Sequence, residues 1–269
     1  MNSLTMKTPG LFRASGILWQ KHMLKFFQNG EELFGTMIQP ILWVGLFGLG
    51  MGGLAEAGGM AGQGSYVGFM LPGIMALSLL GGAIGGGMAW LDERSKGIAK
   101  AYMAAPIPRA SIVAGNLAST ISKGVLQGLV ILLVGTLLGA RLSLAPMEIG
   151  LALVLLLFFA VGFGGIALSL ASATEDLMAY HAMIMLLNLP VLFLSNALYP
   201  AASMPGWMQV AIRFNPTTYL VDGLRQTILQ SAAGTQSIPL YLCLAATAGF
   251  ALFGFLLARG SISKQTKRK

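Results

Sequence analysis

Six stretches of the chain are long and apolar enough to cross a bilayer, whose hydrocarbon core of about 30 Å takes roughly 20 helical residues. They run from about Leu33 to Met51, Tyr66 to Trp90, Ala114 to Leu138, Ile149 to Leu170, Tyr180 to Leu198, and Ile238 to Leu257. The pattern predicts an all-α integral membrane protein with six transmembrane helices. Ahead of the first span, Leu11, Phe12, Trp19, Met23 and Phe26 fall on one side of a helical wheel, and Arg13, Lys21, Lys25 and Gln28 fall mostly on the other. That is the signature of a helix lying in the membrane interface. A helix merely leading into the first span would show the same pattern. Three regions follow: residues 1–32 with the amphipathic helix, 33–258 with the spans, and a basic tail over 259–269.

Two connections stand apart. The segment 91–110 is the most charged in the interior. Pro106 and Pro108 end any helix there, and a short helix from Asp92 to Met103 would place its acids at the favourable N-terminal end and Lys100 near the C-terminus. Its mixed polar and apolar character suits docking to a protein at the membrane surface. The stretch from Tyr199 to Ser237 is long, apolar and broken by Pro200, Pro205, Gly206 and Pro216. Trp207 to Phe214 and Thr217 to Leu229 read as two short helices, the second opened by Asn215 as N-cap and Pro216 as its first residue. A broken helical hairpin of this kind before the sixth span survives at membrane depth only where protein or a cavity shields it.

Composition agrees. Of 269 residues 55% are hydrophobic and 10% charged, whereas a soluble domain carries about 25% charged residues. The net charge of +8 comes from clusters between apolar runs rather than from one basic face, so it reports topology and not nucleic-acid binding. Lys7, Arg13, Lys21 and Lys25 precede the first span, Arg94, Lys96, Lys100 and Arg109 follow the second, and Arg259, Lys264, Lys267, Arg268 and Lys269 follow the sixth. Six spans bring all three clusters to one side, which the basic residues mark as cytoplasmic, with both termini there. Arg141, Arg213, Arg225, Glu56, Glu148 and Asp222 fall on the other side. No apolar signal-peptide core interrupts the basic N-terminal stretch.

The chemistry-bearing residues exclude more than they establish. No Gly-Lys dipeptide occurs, so a phosphate-cradling loop is absent. Gly48, Gly50 and Gly52 and the run Gly81, Gly82, Gly85, Gly86 and Gly87 lie inside spans, and the four-residue spacing of Gly81 with Gly85 and Gly82 with Gly86 suits close helix packing. One cysteine, Cys243, rules out an internal disulfide, and no nucleophile with a base, metal cluster or carboxylate pair stands out. His181, Asn188, Ser195 and Asn196 mark the fifth span. They read either as a polar stripe beside a transport path or as interhelical hydrogen bonds. Met178, Met183 and Met185 beside them read as adaptable lining or as filler. Asp222 and Arg225, three apart, either staple an external gate or form an exposed pair of little weight.

The run Asn215-Pro216-Thr217-Thr218-Tyr219-Leu220-Val221-Asp222-Gly223-Leu224-Arg225 resembles the C-terminal signature of the type 2 ABC export permeases, the group that includes antibiotic-resistance and nodulation-factor exporters. Glu93-Arg94 through Gly97, followed by Ala105-Pro106-Ile107-Pro108-Arg109, resembles their first cytoplasmic loop. The likeness extends in layout over nearly the whole chain. It implies a permease of the bacterial inner membrane that pairs with a second copy of itself or a similar permease. It also implies two copies of a cytoplasmic ATP-binding subunit, which would hold ATP and Mg, with no cofactor in this chain. By the same resemblance the segment Asp92 to Met103 is the coupling helix, with Asp92, Glu93, Arg94, Lys96 and Lys100 as its polar contacts, and Leu11 to Gln28 also meets the ATPase. The hairpin residues Asn215, Pro216, Tyr219, Asp222 and Arg225 are then the external gate, and His181, Asn188 and Asn196 the substrate path. Outward transport of a hydrophobic or amphiphilic cargo, such as a drug, lipid or lipid-linked glycan, is the expected function. A secondary transporter would use intramembrane acids and internal repeats, neither of which is evident, and a membrane enzyme lacks its site. A non-transport scaffold is compatible with the composition.

Overall fold

The computed structural model describes residues 10–57, 66–143, 145–198, 201, 204–229 and 238–267. Lys7, Tyr199, Pro200, the approach to Ser237, and Arg268 and Lys269 lie outside them, as do the side chains of Gly48, Gly52, Glu56, Lys264 and Lys267. The chain forms α1 (Leu11–Gln28), α2 (Gly30–Ala57), α3 (Tyr66–Ser95), α4 (Ile98–Ala104), α5 (Arg109–Leu137), α6 (Pro146–Ala173), α7 (Leu177–Phe193), α8 (Gly206–Ala211), α9 (Pro216–Ile228) and α10 (Leu240–Lys267). A single 3-10 turn, Ile212–Phe214, joins α8 to α9. Among the described residues the β content is one isolated bridge between Leu142 and Leu229. The chain is therefore the all-α membrane protein that its hydropathy predicts. Among the described residues four helices, α3, α5, α6 and α10, have both the length and the apolarity to cross a membrane.

Three element boundaries differ from expectation, each for a local reason. The helix expected over Asp92 to Met103 is split. α3 runs on through Asp92, Glu93 and Arg94 to Ser95, and the chain then turns at Gly97, whose φ of +77° is a left-handed conformation that a Cβ would disfavour. The Gly97 amide closes this turn by donating to the Arg94 carbonyl at 3.0 Å. α7 ends at Phe193 rather than at Leu198, where the chain leaves the helix and the Ser195 hydroxyl donates to the Leu192 carbonyl at 2.8 Å. At the other extreme, α10 continues through Arg259 to Lys267, so most of the basic tail is helical.

Packing centres on α6, which lies against α3, α5, α7, α9 and α10. Lipid offers no hydrophobic force to press helices together, so association rests on close contact between small residues. At the α6–α10 seam a Cβ on Gly165 would stand 2.2 Å from the Gly254 carbonyl oxygen, and one on Gly254 2.1 Å from that of Gly162. Phe159, Phe163 and Phe250 fill the space beside these backbones, with the Phe163 and Phe250 ring centroids 4.8 Å apart in an edge-on arrangement. Of the glycine pairs expected to pack, Gly82 and Gly86 face α5, where Gly86 abuts Thr120 and Asn116. Gly81 and Gly85 face open space.

Gly254→Leu is expected to force the α6 and α10 backbones apart at a cost of roughly 1–3 kcal/mol or more. It should appear as a lowered unfolding temperature of the detergent-solubilised protein. Gly81→Ala, placed in open space, should produce no such fall.

Candidate functional site

Polar side chains gather at the two ends of the helix bundle. At the basic end, α1 lies across α5 with Ala14, Leu18, His22 and Phe26 buried, while Phe12 is 91% exposed on another flank. Glu93, near the end of α3, is 3% exposed and takes a hydrogen bond from Lys21 of α1, which also donates to the Tyr102 hydroxyl of α4. One ammonium thus ties three helices. Burial works to lower the Lys21 pKa, but the hydrogen bonds to Glu93 and Tyr102 and the Glu93 charge outweigh it and hold the ammonium above its ordinary value. Burial keeps the neighbouring His22 below its usual value, against the pull of the Glu93 carboxylate 3.8 Å from its Nδ1.

The five residues expected to couple to an ATPase therefore divide by position. Glu93 faces inward, toward α1. Arg94 reaches the C-terminus of α6, where its guanidinium donates to the carbonyls of Ala171 (2.8 Å), Ser172 (3.3 Å) and Thr174 (2.8 Å), groups that a helix end leaves without partners. Trp90 reinforces this joint by donating its indole N–H to Ser172 Oγ at 3.0 Å. Asp92 is half-buried, 2.8 Å from Lys96 and 3.6 Å from Lys25. Lys96 and Lys100 are exposed, with Ile98 between them also exposed, so a mixed basic and apolar patch sits over the Gly97 turn.

At the opposite end the hairpin residues come together as a buried network. Asn215 caps α9 by accepting from the Thr217 amide at 3.0 Å, and its side-chain amide donates to the carbonyls of Val191 and Leu194 at the end of α7. Pro216 occupies the first helical position, and the Tyr219 hydroxyl donates to the Arg213 carbonyl at 2.7 Å. Asp222 and Arg225, 3.5 Å apart, are both 6% exposed, so the reading of an exposed pair gives way to a buried one. Arg225 also donates to the Asn196 carbonyl at 2.8 Å and lies 4.0 Å from the centre of the Phe69 ring of α3. Asp222 accepts from the Asn196 side chain and from the Ile238 amide, which leads into α10. Helices α3 and α9, the segment that follows α7 and the residues that lead into α10 thus converge on one charge pair.

The expected stripe on the fifth span does not hold together as one face. Ser195 and Asn196 lie beyond the end of α7, where helical phase no longer applies, and both are buried. Asn188 turns toward α3 and α6, lining a small void with Leu80, Phe163 and Ile184. His181 is exposed, its ring nitrogen 3.1 Å from the Leu177 carbonyl. Met178 and Met185 are exposed on the same helix, as is Met183 to a lesser degree.

One charged pair escaped the reading of the sequence. Lys123, in the middle of α5, is 15% exposed and bonds Glu32 of α2 at 2.6 Å, with its ammonium 4.6 Å from the Phe26 ring centre. A lysine unpaired at the centre of a spanning helix costs about 3 kcal/mol, so its presence inside an apolar run was a signal in itself. Among the described residues no set of three acidic, His or Cys side chains is placed to hold a metal ion.

Removing one partner of the Asp222–Arg225 pair, by Arg225→Met or Asp222→Leu, leaves a buried charge alone and is expected to cost about 3–5 kcal/mol of stability. The double variant should recover most of the loss in the unfolding temperature of the purified protein.

Comparison with known proteins accords with this architecture. The family model described as "ABC-2 type transporter" matches residues 13–229. The chain is 29% identical over 209 residues to "Putative transport permease ycf38" of Porphyra purpurea, covering 77% of this chain and 71% of that protein. It is 26% identical over 232 residues to "Daunorubicin resistance ABC transporter permease protein DrrB1" of Streptomyces coeruleorubidus, covering 85% and 79%. It is 29% identical over 223 residues to "Nodulation protein J" of Rhizobium leguminosarum bv. trifolii, covering 81% and 80%. The chain belongs to the ABC-2 type transporter family, as a multi-pass membrane permease that has no ATP-binding site of its own and works with a separate cytoplasmic ATP-binding subunit.

Proposed function

We propose that this permease is the membrane half of an exporter of the bacterial inner membrane. Two copies of the chain, or this chain with a similar permease, form the pore together with two ATP-binding subunits that hold ATP and Mg. The observation that carries the reading is the clamp of Lys21 on Glu93 and Tyr102, which makes α1, the end of α3 and α4 one mechanical body. Nucleotide-driven closure of the ATPase subunits against this body would move α1 and α3 together rather than flexing a loose loop. Such a step is a two-state equilibrium biased by nucleotide, which favours one arrangement by differential binding. The exposed patch of Lys96, Ile98 and Lys100 is the docking surface, while Glu93 and Arg94 transmit the motion from within.

In this reading α2 and α7 complete six spans. The 28 residues of α2 supply the length, and α7, at 17 residues, is extended across the bilayer by the Leu194 to Leu198 turn. Basic residues at the α1, α3 and α4 end assign that end to the cytoplasm, with both termini there. The buried network of Asn215, Asp222 and Arg225 then lies on the external side and holds the gate closed, where few charges face a passing apolar cargo. The name of the daunorubicin-resistance relative supports outward movement of a drug-like, hydrophobic or amphiphilic substrate.

Affinity purification from mild-detergent membranes should yield a stoichiometric ATP-binding subunit and vanadate-sensitive ATP hydrolysis. A lone chain without hydrolysis, reproduced in gentler detergents, would refute the proposal. The paired charge reversal Lys96→Glu with Lys100→Glu should weaken co-purification of the ATPase several-fold and lower the unfolding temperature only slightly, since neither ammonium is buried and the Lys96–Asp92 pair that it removes is an exposed one. Retention of the ATPase by that variant would remove the patch from the docking surface.

A further inference from the structure

Helix α5 holds the junction of α1 and α2 through three side chains on neighbouring turns. Trp19 Nε1 of α1 donates to Ser122 Oγ at 2.9 Å, Lys123 Nζ donates to Glu32 Oε1 of α2 at 2.6 Å, and Gln127 Nε2 donates to the Thr36 carbonyl of α2 at 3.1 Å. The elbow itself is Asn29, where α1 stops and α2 begins, and its side-chain oxygen accepts from the Glu32 amide at 3.3 Å. Lys123 is the fifteenth of the 29 residues of α5, with 14 residues on either side, so its charge sits at the middle of a spanning helix. Among the described residues its carboxylate partner is Glu32, from the first turn of α2. The Phe26 ring, fully buried in the last turns of α1, covers the ammonium.

We propose that the Glu32–Lys123 pair is an ionic latch that fixes the α1–α2 elbow to α5, so that α2 follows any movement of α5. Lys123, 15% exposed and covered by the Phe26 ring, is disfavoured without an opposite charge, so the latch is formed or costly with little between. A neutral hydrogen bond at the same place would not have this all-or-none character. α5 begins two prolines after α4, and α1 is held to α4 by Lys21, so the elbow receives displacement of the basic end by two routes. That second half of the inference rests on the reading of α4 as the ATPase-coupling element.

The test uses full-length protein purified with its partner and reconstituted in lipid. Spin labels are attached at Gln28→Cys and Leu129→Cys, both exposed, in a Cys243→Ser background, and the distance distribution is measured before and after vanadate trapping with ATP. The latch predicts one narrow distribution with Glu32 and Lys123 intact. It predicts loss of that narrow peak in Glu32→Gln and in Lys123→Met, and its return in the swapped pair Glu32→Lys with Lys123→Glu. Single variants that keep the narrow peak overturn the latch. So does a swapped pair as broad as the single variants, because then opposite charge is not what holds the elbow. Should the singles fail to express, a narrow peak in the swapped pair sustains the latch and a broad one overturns it. Absence of any ATP-binding partner would instead defeat the proposed function, and the distances in the lone permease would still decide the latch.

Discussion

α6 and α10 meet with their backbones in near contact, because Gly162, Gly165 and Gly254 place no side chain between them. In lipid the tails are as apolar as leucine, so this intimacy, and not exclusion of water, is what holds helices together. The rest of the arrangement hangs from α6. Its C-terminal carbonyls receive Arg94 and its Ser172 receives Trp90, which fixes where α3 ends. In its N-terminal half, Leu155 packs against Gly223 of α9, which seats the helix carrying Asp222 and Arg225. Displacing this one seam would move the polar clusters at both ends of the bundle.

Those clusters share a physical logic. Charged side chains in an apolar environment persist only when paired, and a pair formed by two helices records how those helices sit relative to one another. Lys21 with Glu93 and Tyr102 links α1, α3 and α4, while Lys123 with Glu32 links α5 and α2. Asp222 and Arg225, with Asn196, Ile238 and Phe69, link α9 to the end of α7, the start of α10 and α3. Away from these pairs the contacts are mainly apolar or small-residue packing. A permease must change shape without dissolving, and a few rigid polar joints set among apolar surfaces suit that requirement. Interfaces and cores rearrange between discrete packings rather than deforming continuously.

The residues expected to do the coupling illustrate how a side chain's role depends on its neighbours. Glu93 and Arg94 are adjacent in sequence and both charged, yet one turns toward α1 and the other caps α6. Nothing in the run Asp92 to Arg94 distinguishes them, because both partners come from distant parts of the chain. Asp222 and Arg225 reverse the case. Their spacing announced a pair, but whether it was wet or buried depended on α3, α7 and α10 closing around it.

Hydropathy, caps and prolines read from the sequence by itself determined the class of the protein, the placement of the long helices, the interruption at Pro106 and Pro108, and the Asn215–Pro216 start of α9. These are local properties: a run of apolar residues must be helical in lipid, and caps and prolines act within one turn. Only the tertiary structure decided that Gly82 and Gly86 pack while Gly81 and Gly85 do not, that Asn188 and His181 part company, and that the midpoint lysine of α5 finds a glutamate 91 residues away. The reason is that hydropathy records how much of a helix avoids water but not which neighbour each side meets. In a chain nearly all of whose surfaces are apolar, that choice is made by the fit of small residues and the pairing of rare charges across helices.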